Sequence, residues 1–160
     1  MDDRLIDQLT EGDRNALREV LATVGDLMST ELVTLEPEHP VGEAINAFAR
    51  GRFRHILVTK GDRLVGVLSD RDVLRFFARR GGAGNGTISE MITVNARTID
   101  PSASIAEATR LMLQHRINCL PVTDGGGTVV GILTTTDLLR ALYATHHWLE
   151  RRAAAVQTNG

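Results

Sequence analysis

One ten-residue phrase occurs twice in this chain. Residues 66–75 read GVLSDRDVLR and residues 131–140 read GILTTTDLLR, so Gly66, Leu68, Asp72, Leu74 and Arg75 meet Gly131, Leu133, Asp137, Leu139 and Arg140 at an offset of 65. Upstream, Thr34, Pro37, Glu43, Ala44 and Val58 meet Thr98, Pro101, Glu107, Ala108 and Val122 at an offset of 64, and Met28 meets Met91 at 63. A repeat of this period means that one supersecondary unit is built twice and buries its apolar faces against its own copy. The offset changes only by single residues, the second time where KGDRL faces DGGGTV. Turns absorb such changes in length.

Each copy gives the same order of elements. In the first, VTL (33–35) reads as a short strand. Val41, Ala44, Ile45 and Phe48 then recur at helical spacing behind Pro40. HILVT (55–59) and RLVGVLS (63–69) flank a turn at Gly61-Asp62 and read as a hairpin, and a second helix after Ser69 is expected to bury Val73, Leu74 and Phe77. In the second copy RTI (97–99) precedes a helix capped by Ser104, with Ile105, Ala108 and Met112 on one face. INCLPV and TVVGIL form its hairpin around Asp124 to Gly127, and the last helix is expected from about Asp137 toward Trp148. The fold class is therefore α/β (α+β), a tandem of β-α-β-β-α units with an additional N-terminal helix.

The expected boundaries are 1–23 for the N-terminal helical segment, 24–80 for the first unit, 81–86 for a linker, 87–143 for the second unit and 144–160 for a helix end and tail. The N-terminal helix rests on Ala16, Leu17, Val20, Leu21 and Val24 following Gly12-Asp13. The linker, GGAGNG, lacks the Lys-Ser/Thr ending of a phosphate-binding loop and matches no G-x-G-x-x-G, so it reads as a connection. The tail RRAAAVQTNG is small and polar, with a frayed end expected.

A formal charge of −2 gives no general basic field, and aromatics at 4% leave few stacking platforms, so nucleic acid is not the expected partner. One cysteine excludes an internal disulfide, and no apolar run approaches a membrane span, so a cytoplasmic protein with no membrane partner is expected. Adjacent His146 and His147 point about 100° apart on a helix and make a poor metal clasp. Cys119, inside an apolar strand, reads as a small buried thiol. No Ser-His-Asp set accompanies Ser69, so no catalytic constellation and no catalytic cofactor is expected. Arg71, Arg75 and Arg79 share one helix face, which reads as a solvated face apart from Arg71.

The repeated phrase has a plain structural use, because Ser or Thr followed three residues later by an acid caps a helix: Ser69 with Asp72, and Thr134 with Asp137. A helix start also offers unpaired N–H groups and a positive dipole end to an anion. Arg71, Arg52 and Arg54 could add charged donors to the first copy, whereas the second has Thr135 and Thr136. The two copies are thus expected to bind with different strength.

The motifs GDLMST…VTL, GVLSDRDVLR, NCLPV and GILTTTDLL together resemble those of the CBS domain, and the pair resembles a Bateman module over residues 24 to about 143. The resemblance implies two copies related by pseudo-two-fold symmetry, two clefts, a disc-shaped homodimer, and binding of AMP, ADP, ATP or S-adenosylmethionine as a regulatory ligand whose occupancy alters an unidentified regulated protein. It implies that Asp72 and Asp137 accept ribose hydroxyls and that Ser69 and Thr134, with Arg71 and Thr136 nearby, meet ribose or phosphate. The adenine is implied to lie against Thr34-Leu35 or Thr98-Ile99 and beside the strand starts Arg54-His55-Ile56 or Asn118-Cys119-Leu120. One departure is that the first copy has Leu57-Val58 where the second has the family's Pro121-Val122. The competing expectation is a ligand-independent dimerisation or interaction module in which the aspartates only cap helices, and an enzyme is not expected.

Overall fold

In the computed structural model, residue 12 and residues 22–51, 53–81 and 84–158 are described. The elements are α1 (Val24–Leu27), β1 (Thr34–Leu35), α2 (Val41–Arg50), β2 (His55–Lys60), β3 (Arg63–Ser69), α3 (Asp70–Arg79), a 3-10 turn (Ile88–Glu90), β4 (Thr93–Val94), α4 (Ile105–His115), β5 (Cys119–Thr123), β6 (Val129–Thr134) and α5 (Thr135–Thr158). The N-terminal helix read from Ala16, Leu17, Val20 and Leu21 lies outside the described residues, as do Arg52 and the middle of the glycine-rich connection.

The strands are apolar on both faces because both faces are covered. In β2, Val58 joins a core with Val41 and Ala44 of α2 and Val73 and Phe76 of α3. Leu57, one residue earlier and on the opposite face, meets Val67 and Cys119. The second copy repeats this, with Leu120, Val122 and Leu133 packed on Ala108 and Met112 of α4. Two sheets thus meet through Leu57, Val67 and Cys119, and helices cover the outer faces. Fully burying one such leucine or valine contributes about 1.5–3 kcal/mol. Substitutions at this central seam affect both copies at once.

The first sheet runs β1-β2-β3-β4, with β1 parallel to β2 and the other pairs antiparallel. The second contains the β5-β6 hairpin. The strand expected at 97–99 is reduced to one parallel bridge between Ile99 and Val122, in the place β1 takes beside β2. The segments that enter the two copies are exchanged. Ile88, Met91 and β4 belong to the first core and sheet, while Val24 lies in the second core and Ser29 bridges Ile132 of β6. Neither half closes its core without a segment from the other end of the repeat.

Two expectations about helices need correction. Leu74 is 69% exposed and Phe76 takes the buried place, since α3 starts at Asp70 and its inward positions are Val73 and Phe76. One residue along a helix turns the side chain by about 100°. The last helix does not end near Trp148 but continues to Thr158, through an alanine-rich stretch with neither Gly nor Pro to stop it.

Candidate functional site

The start of α5 positions a carboxylate. Strand β6 delivers Leu133 into the core, and the chain then turns at Thr134 into the helix. Asp137, one turn on, accepts hydrogen bonds at Oδ2 from the Thr134 N–H at 2.9 Å and from its hydroxyl at 2.6 Å. Its Oδ1 faces Arg140 Nη1 at 3.5 Å, and the side chain is only 14% exposed. Ser69 and Asp72 repeat the arrangement at α3, with N–H and hydroxyl donors at 3.0 and 2.5 Å and Arg75 Nη1 at 3.2 Å from Oδ1. The Asp72 N–H donates back to Ser69 Oγ at 3.3 Å. A carboxylate offers about four acceptor positions. Capping therefore leaves acceptor capacity on Oδ1, where a diol could bind without breaking the cap.

The surroundings of the two carboxylates differ. Asp137 borders a cleft of about 390 Å³ built from both copies. Thr134, Thr135, Thr136 and Arg140 come from the second, while Arg54, His55 and Leu57 come from the start of β2. Phe53, Asp70, Asn118 and Ile132, with Ser29 and residues 31–33 of the segment before β1, complete the walls. Asp72 borders a different hollow of about 410 Å³, enclosed by α3 and the segment entering the second copy, with Arg75, Arg79, Arg80, Glu90 and Thr93 around it.

The structure thus gathers Thr134, Thr136, Asp137, Arg54, His55 and Asn118 around one cleft. Ser69 is half-buried as a cap, and Arg71 is exposed with its N–H donating to Asp70 Oδ1 at 2.8 Å. Ile56 and Leu120 are fully buried and Ile99 and Cys119 nearly so, which leaves their backbone as the part able to meet a ligand. Thr34 and Leu35 are paired with β2, and Thr98 is exposed; none of these residues borders either hollow. Ser29, Glu31, Val33 and Asp70 were not foreseen as cleft residues. The available signal was the offset that places Asp70 opposite Thr135; nothing local in the sequence marks 29–33. Arg75 and Arg79 are exposed, as a solvated helix face requires, and also border the Asp72 hollow.

Burial holds the His55 imidazole below its ordinary value of 6.5, with Asp70 opposing, Arg54 adding and Asp72 opposing. It is therefore mainly neutral at pH 7 and offers one donor and one acceptor. Arg54 Nε donates to Asp70 Oδ2 at 3.1 Å on the cleft wall. Burial, aided by the charge of Asp72, pushes the Cys119 thiol up to about 12, so it stays protonated and a poor nucleophile. Among the described residues no three His, Cys, Asp or Glu side chains are grouped to hold a metal, and no helix is long and apolar enough to cross a membrane.

The CBS domain family model matches residues 24–79 and 88–144. The CBS domain-containing protein YhcV of Bacillus subtilis (strain 168) is 30% identical over 118 residues, which cover 74% of this chain and 84% of YhcV. An inosine-5'-monophosphate dehydrogenase of Nitrosopumilus maritimus (strain SCM1) is 35% identical over 52% of this chain, but over only 16% of that enzyme. Among solved structures, CBSX2 in complex with AMP superposes with a TM-score of 0.69 at 27% identity, covering 77% of this chain and 97% of CBSX2.

Proposed function

Because the chain belongs to the CBS domain family, we propose that it is a regulatory module that binds an adenosine-containing ligand in the Asp137 cleft and transmits occupancy to a partner protein. The observation that carries this reading is the held Asp137 carboxylate, with acceptor capacity left, lining a cleft whose walls come from both copies. In the bound arrangement Asp137 accepts ribose hydroxyls, Thr134 to Thr136 meet ribose or phosphate, and the starts of β2 and β5 read the adenine edge. A volume of about 390 Å³ lies within the roughly 300–1,000 Å³ of small-molecule pockets. The AMP complex of CBSX2 supports the choice of ligand class. The cleft divides the two copies, so a ligand can favour one of their relative placements. Regulation requires that it bind those placements with different affinity.

The chain acts, on this reading, by binding and not by turnover, and works as a homodimer. Calorimetric titration with AMP, ADP, ATP and S-adenosylmethionine tests it. Saturable micromolar binding that is lost in Asp137→Ala is the expected result, and a folded protein that binds none of the four would overturn the reading.

A second reading has a specific observation in its favour. Thr23 and Asp26 form the same cap, with N–H and hydroxyl donors both at 2.8 Å, at an exposed helix start. The motif is thus sufficient as a cap. If all four ligands fail, the chain is a ligand-independent interaction module.

A further inference from the structure

We infer that each chain holds one adenosine ligand, at Asp137, and that Asp72 serves as a helix cap and partner of Arg75; this rests on the function proposed above. The two positions have the same cap but diverge in three ways.

The first difference is the segment that lies over each hairpin. Beyond the Thr93–Val67 pair, β4 continues to Val94 opposite Gly66 and lies along β3 before turning at Asn95, which takes a positive φ of 55°. At the equivalent place Ser29 exchanges hydrogen bonds of 2.9 and 3.0 Å with Ile132, and that bridge is not extended. Residues 31–33 are not bridged to β6 and border the Asp137 cleft.

The second difference is at the helix ends. Asp70 opens α3, and its carboxylate accepts from the Arg71 N–H and from Arg54 Nε and borders the Asp137 cleft, not the Asp72 hollow. Thr135 holds that position in α5 and brings no charge. Asp70 and Thr135 both line the Asp137 cleft, so the leading residues of both helices face that site and neither borders the Asp72 hollow.

The third difference is the wall that would read a base. The Asp137 cleft includes Arg54, His55 and Asn118 from the two strand starts, whereas α3 and residues 90–93 enclose the Asp72 hollow. Its one aromatic ring, Phe76, is covered by the Arg80 guanidinium at 4.5 Å, and Arg80 is paired with Glu90.

Titration calorimetry with AMP, repeated with S-adenosylmethionine, on wild type, Asp137→Asn and Asp72→Asn tests the assignment. Asparagine keeps an acceptor for each cap, and thermal melts check that both variants fold. The expected result is a stoichiometry near one per chain, at least a tenfold loss of affinity in Asp137→Asn and less than a twofold change in Asp72→Asn. Two ligands per chain, or loss of binding in Asp72→Asn, overturns the one-site assignment while leaving the function standing. Absence of binding to folded wild type removes the function itself and the assignment with it.

Discussion

Asp137 and Thr134 show how one residue pair can be read from sequence in kind but not in consequence. The spacing of a hydroxyl and an acid identifies the cap, and the hydrogen bonds of 2.9 and 2.6 Å are its geometry. The same spacing at Ser69 and Asp72 could not show that one carboxylate faces a two-copy cleft and the other an arginine-rich hollow, because the far wall of the cleft comes from the first copy, from residues 29–33, 53–57 and 70. Removing the Thr134 hydroxyl in Thr134→Ala should lower stability by about 1 kcal/mol, the usual cost of an N-cap, measured by urea unfolding. His55 adds a pH dependence. Its pKa is lowered in the folded state, so the unfolded chain binds more protons once the pH falls below about 6.5, and stability present above that value is progressively lost as the pH drops toward the folded pKa. The urea midpoint of His55→Gln should therefore fall less between pH 7 and pH 5 than that of wild type, and parallel curves would exclude His55 as the cause.

At the level of elements, period and turn chemistry made the β-α-β-β-α order legible, because helices and hairpins carry their patterns locally. The exchange of entering segments was not legible. Val24 and Ile88 have the apolar character of core residues wherever they pack, and only the folded chain shows each in the core of the other copy. Two glycines mark where these segments cross the hairpins. A Cβ on Gly66 would stand 2.7 Å from the Thr93 carbonyl oxygen, a backbone atom that cannot move without opening the β3-β4 ladder. A Cβ on Gly131 would meet Met28 Sδ at 2.4 Å, the end of a flexible side chain, with the Ser29 carbonyl oxygen at 3.1 Å. Gly66→Ala should thus be the more damaging, at about 1–3 kcal/mol, with Gly131→Ala milder. Equal melting temperatures for the two variants would contradict the backbone-against-side-chain distinction.

For the whole molecule, the one leucine that the helix pattern placed inside, Leu74, turns out to belong to a surface. Leu74 and Leu139 occupy equivalent positions in the repeat and are 69% and 63% exposed, and Leu142 and Tyr143 extend the apolar surface along α5. Sequence periodicity cannot separate the inside of a monomer from the inside of an assembly, since both select leucine. Exposed apolar residues at repeat-related positions on α3 and α5 suit an interface in which the same patch meets itself across a two-fold axis. The homodimer proposed above would bury them. Introducing a charge at both, in Leu74→Glu with Leu139→Glu, should convert a dimer into a monomer by light scattering at micromolar concentration. Melting of the monomer should remain cooperative, because neither side chain contributes to a core. Affinity for AMP should change little, as neither leucine borders the Asp137 cleft. A double variant that stays dimeric would move the interface elsewhere, and a wild type that is monomeric at the same concentration would leave these leucines without the second copy that explains them.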